Sequence, residues 1–423
     1  MITKTGCTLQ IYSEIGSLKR VLLHRPGSEL EMLTPKYLDT MLFEDIPFLD
    51  SMREEHNAFA ETLRNNGCEV LYVEDLLQET VKIPEAKESL IEKTVRTAGI
   101  PDLDLCEFLK DNLQGMDDIS LTRHLIAGTK KDEIALNQPT GRRDLSYYIR
   151  DEYPFYINPL PNLYFTRDPG AVLGNRCSIN TMHTDARKRE SMLLSAVMRY
   201  HPIFRTDDSV SHILEGYAEG SSIEGGDILV LDENTVVVGC SARTEAWAIE
   251  ELAKQILTSY SDSPGSGSGF KSILVIQIPF TRAYMHLDTV FTMVDHDKFT
   301  IYPGVESALK VFTISMGKER TLLVQPETGL KPALERALKL PAVDLIQTGG
   351  GDRITAAREQ WNDSANTLAV APGVVVTYRR NVVSNDTLEK HGITVLPIQG
   401  SELVRGRGGP RCMSMPLVRE PIS

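Results

Sequence analysis

The sequence predicts an α/β fold made of repeated units, each with two strands, a helix and a third strand, interrupted once by a helical insertion. Three observations carry this reading. Short apolar runs of strand length alternate with segments whose apolar residues recur at three- and four-residue spacing. The alternation returns about every sixty residues, which makes roughly five units. Between Asp75 and about Glu152 the texture changes to Leu, Glu, Lys and Ala with few β-branched runs, as expected of packed helices. The divisions that follow are a first unit over residues 1–75, an insertion over 76–152, and the remaining units over 153–423, closing on Cys412.

Taken in order, Leu18 to Leu23 forms a strand that runs into the turn signal His24-Arg25-Pro26-Gly27. Phe48 to Asn66 has helical spacing and is closed by Gly67, after which Cys68 to Val73 is a second strand. In the insertion, Pro84 to Arg96, Leu103 to Leu113 and Asp118 to Ile126 read as short helices. The repeat then resumes with the strand Cys177 to Thr181 and a helix from Thr184 to Tyr200. Ile228 to Leu231 and Thr235 to Cys240 form a hairpin, followed by a helix over Thr244 to Leu257 and the strand Ser272 to Ile278. The intervening Gly/Ser-rich stretch Ser263 to Gly269 lacks a phosphate-binding signature and reads as flexible linkage. Val290 to Met293 and Phe299 to Tyr302 make another strand pair, with a helix near Leu330 to Leu338 and the strand Asp344 to Gln347. The last unit runs through Leu368 to Tyr378, broken by Pro372 and Gly373, then the helix Asn385 to Lys390 and the strand Thr394 to Pro397.

Composition narrows the function. The 423 residues are long for one core, so two domains and one large repetitive fold both stay open. A net charge of −13 disfavours nucleic acid, which wants a basic patch, and is mildly congenial to a cationic substrate. No apolar run has the length of a membrane span, and the N-terminal residues lack a signal-peptide pattern. The six cysteines are scattered without a CxxC pair, which points to reduced thiols and a cytoplasmic setting.

One cysteine stands apart. Cys412 follows Arg405-Gly406-Arg407-Gly408-Gly409-Pro410-Arg411, where glycines permit close backbone approach and three arginines would stabilise a thiolate or another anion. On local residues alone, a buried structural thiol ahead of a final strand is the other reading. Upstream, a strand through Met285 to Thr289 would project His286 and Asp288 from one face, making a proton-transfer pair or a structural one. Acidic residues recur where the units begin, at Asp168, Glu224 with Asp227, Asp288 and Asp352. Convergent carboxylates would cradle a planar guanidinium. A metal is the rival partner, less favoured because neither an HxxxH spacing nor a compact acidic cluster occurs. Arg187 and Arg243 sit at helix N-termini, where the helix dipole repels cations unless an anion joins them; with Arg407 they outline a carboxylate pocket, or they fold back onto Glu190 and Glu245.

These stretches together resemble the arginine deiminases, members of the guanidine-modifying pentein superfamily. The resemblance spans Phe43 to Asp50, Asn162 to Pro169, Arg187 to Glu190, Ile223 to Asp227, Ser241 to Thr244, His286 to Asp288, Trp361 to Asp363 and Gly406 to Pro416. It implies a pseudo-fivefold α/β propeller of ββαβ units with a helical insertion domain, and hydrolysis of L-arginine to L-citrulline and ammonia without metal or cofactor. It further implies Cys412 as nucleophile, His286 as proton shuttle, and Asp168, Asp288 and Glu224 as the acidic groups around the guanidinium. Asn162, Arg187, Arg243 and Arg407 would hold the amino-acid end, with Phe165, Leu49 and Gly406 lining the pocket. An assembly of identical subunits is expected, with no nucleic-acid or membrane partner.

Overall fold

The computed structural model describes residues 8–135, 153–205, 213–217, 220–262 and 269–422. Among them one pattern occurs five times: two antiparallel strands, then a helix that returns the chain to add a third strand parallel to the second. The second unit is Gly170–Leu173, Arg176–Ile179, helix Lys188–Tyr200 and Ile213–Leu214. The third is Ile228–Val230, Thr235–Cys240, helix Ala246–Asp262 and Ser272–Gln277; the fourth is Phe291–Asp295, Lys298–Ile301, helix Leu330–Leu338 and Asp344–Gln347. The fifth is Leu368–Ala371, Val374–Tyr378, helix Val382–Lys390 and Thr394–Ile398, its hairpin turned by Gly373 at φ +70°. Runs such as Thr-Val-Val-Val and Ile-Leu-Val-Ile form the buried middle and third strands because β-branched side chains fit a pleated surface covered on both faces.

The first unit is assembled from both ends of the chain. Leu18–Leu23 pairs in parallel with Glu69–Tyr72 across the helix Leu49–Asn65, and its antiparallel partner is the C-terminal strand Met415–Arg419. This joint is locked by charge. Arg411, just before that strand, places Nε and Nη2 each 3.2 Å from the Glu14 carboxylate and donates from Nη2 to the Ile228 carbonyl at 2.7 Å. Burial pushes the Glu14 carboxyl up, but Arg411, Arg167 and Arg419 outweigh it and bring it down to about 2.

In the insertion the helices are Val73–Thr80, Pro84–Thr97, Leu103–Gln114 and Asp118–Ala127, the last two capped by the carboxylates of Asp102 and Asp117. Leu76, Leu90, Leu113 and Leu125 share an apolar cluster with Leu193 and Val197 of the second unit, so this helical layer has no separate core. The predicted linkage at 263–268 lies outside the described residues.

Two expectations are corrected, and one hairpin is added. Met285 to Thr289 is not a strand: His286 is extended, and Leu287–Thr289 forms a 3-10 turn because the Thr289 amide and hydroxyl both donate to the His286 carbonyl. Asp352 is exposed and caps the helix Arg353–Gln360 instead of pointing inward. Lys310–Met316 and Leu322–Pro326, read as neither strand nor helix in sequence, form a hairpin that extends the third unit's sheet. None of the described helices is long and apolar enough to cross a membrane.

Replacing Glu14 with Gln leaves Arg411 buried and short of a counter-charge, and should cost roughly 3–5 kcal/mol in urea unfolding. A depressed carboxyl stabilises fully above its ordinary value of 4.5 and loses that contribution as pH falls towards about 2. The stability gap between wild type and Glu14→Gln should therefore narrow from about pH 6 to about pH 3, and a constant gap would refute the assignment.

Candidate active site

Each unit sends a turn, placed just before its first strand, to one buried cluster. The second unit contributes Asn162 to Asp168, through turns closed by Phe165 N to Asn162 O (2.9 Å) and Asp168 N to Phe165 O (3.4 Å). The third contributes Glu224 and the 3-10 turn Gly225–Asp227, and the fourth contributes His286 and Leu287–Thr289. These two turns are tied together, since the Leu287 amide donates to Asp227 Oδ1 at 2.7 Å. Asp363 and Asn366 come from the fifth unit and Arg411 with Cys412 from the first; all four are buried. The predicted convergence of acidic unit starts therefore holds for Asp168, Glu224, Asp227 and Asp288, with Asp363 in the place expected for Asp352.

Cys412 is held from two sides. Its amide donates to Asn366 Oδ1 (3.0 Å), and Asn366 Nδ2 donates to the sulfur (3.1 Å) and to the Asp288 carbonyl (3.1 Å). Asp288 places Oδ2 3.7 Å from Sγ while accepting from Arg411 Nη1 at 2.8 Å. Gly409 packs on Asn366 so closely that a Cβ there would lie 2.7 Å from the Asn366 carbonyl oxygen; a Cβ on Gly408 would meet the Phe165 ring at 2.2 Å.

The arginines do not make this thiol a thiolate. Arg411 is spent on Glu14 and Asp288, Arg405 pairs with Asp45 and Glu402, and Arg407 stacks on Trp361 with Cζ 3.6 Å from the ring centroid. Burial first, then Asp288, Asp168 and Asp363, push the Cys412 thiol well above its ordinary range. Burial and the carboxylates together therefore disfavour the thiolate.

Opposite charges meet at His286. Its Nε2 lies 2.7 Å from Glu224 Oε2, and Nδ1 lies 3.8 Å from Asp168 Oδ1. Burial pulls the imidazole down, but Asp168 and Glu224 raise it to about 9; Glu224, pushed up by burial and down by His286, Arg187 and Arg243, falls to about 2. The pair is an imidazolium carboxylate ion pair with its remaining proton on Nδ1. Gly226 is required beside it, because a Cβ there would sit 2.7 Å from the ring. Asp168, Glu224 and His286 bring one potential ligand atom each within 4.8 Å, as a metal site would. Most of their acceptors are already engaged: Glu224 accepts from His286 and from the His183 amide (2.9 Å), and Asp168 Oδ2 accepts from Arg187 Nη1 (2.6 Å), so of the two carboxylates only Asp168 Oδ1 is without a donor. This donor set fits a hydrogen-bonded network better than a cation.

Asn162, Phe165, Asp168, Arg187, Arg243, His286, Gly406, Arg407 and Cys412 line one cavity, with Leu42, Met285 and Thr289. Its free space is only about 20 Å³, room for a water molecule. Glu224 and Asp288 stand behind His286 and Cys412. Leu49 begins a helix and packs in the core, and Leu42, in a left-handed conformation at φ +63°, takes the wall position expected of it. Arg187 is engaged with Asp168 and with Glu190 (2.8 Å), whereas Arg243 Nη1 and Arg407 Nε and Nη1 are buried without hydrogen-bond partners. Asp168 Oδ1 is likewise unpartnered. Asn366 and Leu42 have no role in the sequence reading, and Arg411, expected there to stabilise a thiolate, instead pairs with Glu14 and Asp288. Asn366 carried one signal, a polar residue set directly before the apolar run of the fifth unit.

Comparison with known proteins identifies the family. The family model described as arginine deiminase matches residues 39–419. Arginine deiminase of Streptococcus pneumoniae strain P1031 is 46% identical over 415 residues, 98% of this chain and 99% of that one; the strain Hungary19A-6 protein is 45% identical over the same shares. Among solved structures, the N-terminal domain of ArgZ, an arginine dihydrolase from cyanobacteria bound to product, aligns with TM-score 0.53 at 12% identity, covering 95% of this chain and 97% of that one. An AgrE variant in complex with L-arginine aligns with TM-score 0.53 at 13% identity, over 96% of this chain and 41% of that one. These distant structures share the mixed α/β fold. The family match over nearly all of its length and the high identity to curated relatives show that this chain belongs to the arginine deiminase family.

Proposed function

We infer that the protein hydrolyses L-arginine to L-citrulline and ammonia through a covalent thiouronium on Cys412. One observation carries the reading: a single cavity is lined by a free carboxylate oxygen of Asp168, the Cys412 thiol and His286, together with Arg243 and Arg407, whose nitrogens include ones without partners. Those groups complement the guanidinium and the α-carboxylate of one amino acid. Agmatine lacks that carboxylate, and a peptidyl arginine carries it as an amide, so Arg243 and Arg407 favour free arginine. The five units are proposed to stand as a pseudo-fivefold propeller with this cavity on its axis, and residues 76–152 as the inserted helical domain; the convergence of five unit starts supports the ring.

The chemistry follows from the charges. The entering guanidinium sits between Asp168 and Asp288 and brings the positive charge that the thiol lacks, so Cys412 releases its proton to solvent in the substrate complex and regains one when the sulfur is freed. The thiolate attacks the guanidinium carbon, His286 gives its Nδ1 proton to the departing nitrogen, and ammonia leaves. Neutral His286 then takes a proton from water, whose oxygen adds to the thiouronium carbon. Collapse releases the sulfur and forms the urea group of citrulline; the last proton leaves with ammonia as ammonium. The chain's own groups supply the nucleophile and every proton relay, so the scheme calls on no metal or cofactor. Entry needs the cavity to open, which fits a wall formed by the loop of Leu42 and the stacked Arg407.

Cys412→Ala should abolish citrulline formation while leaving the fold intact by circular dichroism; retained turnover refutes the nucleophile. Acid quenching of the wild-type reaction should reveal an amidine adduct on Cys412 by intact mass. Arg243→Ala removes a charge-assisted contact and should raise KM for arginine by roughly tenfold or more, with much less effect on agmatine. Equal losses on both substrates would sink the carboxylate assignment. Because His286 must enter protonated, kcat/KM should fall as pH rises through about 9. Glu224→Gln removes part of the upward pull and should move that limb to lower pH.

A further inference from the structure

A second and larger cavity, of about 360 Å³, lies between the first unit and the helical insertion, and no step of the proposed reaction uses it. Its size is within the usual range for a small-molecule site. One wall is a single face of the helix Asp118–Ala127, which presents Ile119, Thr122, Arg123, Ile126 and Ala127 at three- and four-residue spacing. The other wall is the turn His24 to Glu29, closed by Arg53 and by Glu74, Asp75 and Gln78.

Charge gives this cavity its character. Arg25, Arg53 and Arg123 all line it, and among the described residues none of them pairs with a carboxylate; Arg53 spends only its Nε, on the Pro26 carbonyl oxygen at 2.9 Å. The nearby acids are mostly committed elsewhere. Glu29 and Glu74 clamp the buried His24 ring at 3.1 and 2.9 Å, which leaves Asp75 as the one lining acid without a charged partner among the described residues. Three unspent guanidiniums on one cavity are unusual in a chain of net charge −13. Ile119, Ile126 and Ala127 supply an apolar surface for the body of a ligand.

We propose that this cavity is a binding site for a small organic phosphate monoester, its phosphate held by Arg25, Arg53 and Arg123 and its organic body laid against Ile119 and Ile126. Guanidinium forks match phosphate oxygens bidentately, and a dianion balances three cations better than a single carboxylate does. The site is separate from the cavity of Cys412. It is joined to that cavity through the chain, because the turn His24 to Glu29 leads into the loop that carries Leu42.

Isothermal titration of the full-length protein with phenyl phosphate and with adenosine monophosphate should show saturable binding at one site per chain. The double variant Arg25→Gln/Arg123→Gln should weaken it by roughly tenfold or more while citrulline formation without phosphate is unchanged. Both side chains are exposed and unpaired, so the variant should fold; Arg123→Glu alone is the second test and should abolish binding. Absence of saturable binding, or equal affinity in the variants, overturns the site. Succinate binding as tightly as the phosphates, and lost in the same variants, overturns the phosphate assignment. Because the readout is binding, the result is independent of whether arginine is the substrate.

Discussion

The Arg411 guanidinium is the contact on which the rest depends. It joins Glu14 near one end of the chain, the Ile228 carbonyl at the start of the third unit, and Asp288 beneath the sulfur of the adjacent Cys412. A buried carboxylate is costly unless it is paired, and here one cation serves two of them. The same residue therefore closes the fold, by seating the C-terminal strand against Leu18–Leu23, and builds the site, by aiming Asp288 at the thiol. Stability and chemistry are not separable at this position.

The site is consequently rich in negative charge before substrate arrives. Asp168, Asp288 and Asp363 surround Cys412, the nearby arginines are spent or turned away, and burial adds to the same effect. That setting disfavours the Cys412 thiolate until a positive charge compensates the carboxylates. Glu224 has a different task. Bonded to His286 Nε2, it keeps the ring charged and turns Nδ1 towards Asp168.

Much of this was legible in the sequence, and for identifiable reasons. Strand and helix periods located the units because apolar spacing reports which face is buried. Glycines at 226, 408 and 409 marked backbone that touches something, and the structure shows what: His286, Phe165 and Asn366. The errors came where local pattern and tertiary contact disagree. His286 and Asp288 look like strand neighbours two apart, yet Thr289 draws the backbone into a turn through the His286 carbonyl. Asp352 follows three glycines as an inward residue would, but it serves as a helix cap on the surface.

By itself the sequence pointed to the repeat, the helical stretch and the family, since these depend on residue type and spacing along one chain. Only the tertiary structure decided how charge is shared. Arg187, Arg407 and Arg411 are one residue type in similar glycine- or helix-flanked settings. Yet Arg411 is buried against two carboxylates, Arg187 against Asp168 and Glu190, and Arg407 stacks on Trp361 with nitrogens left free. Which partner each guanidinium finds depends on turns from different units meeting in space, and nothing in the linear order of the chain encodes that distance.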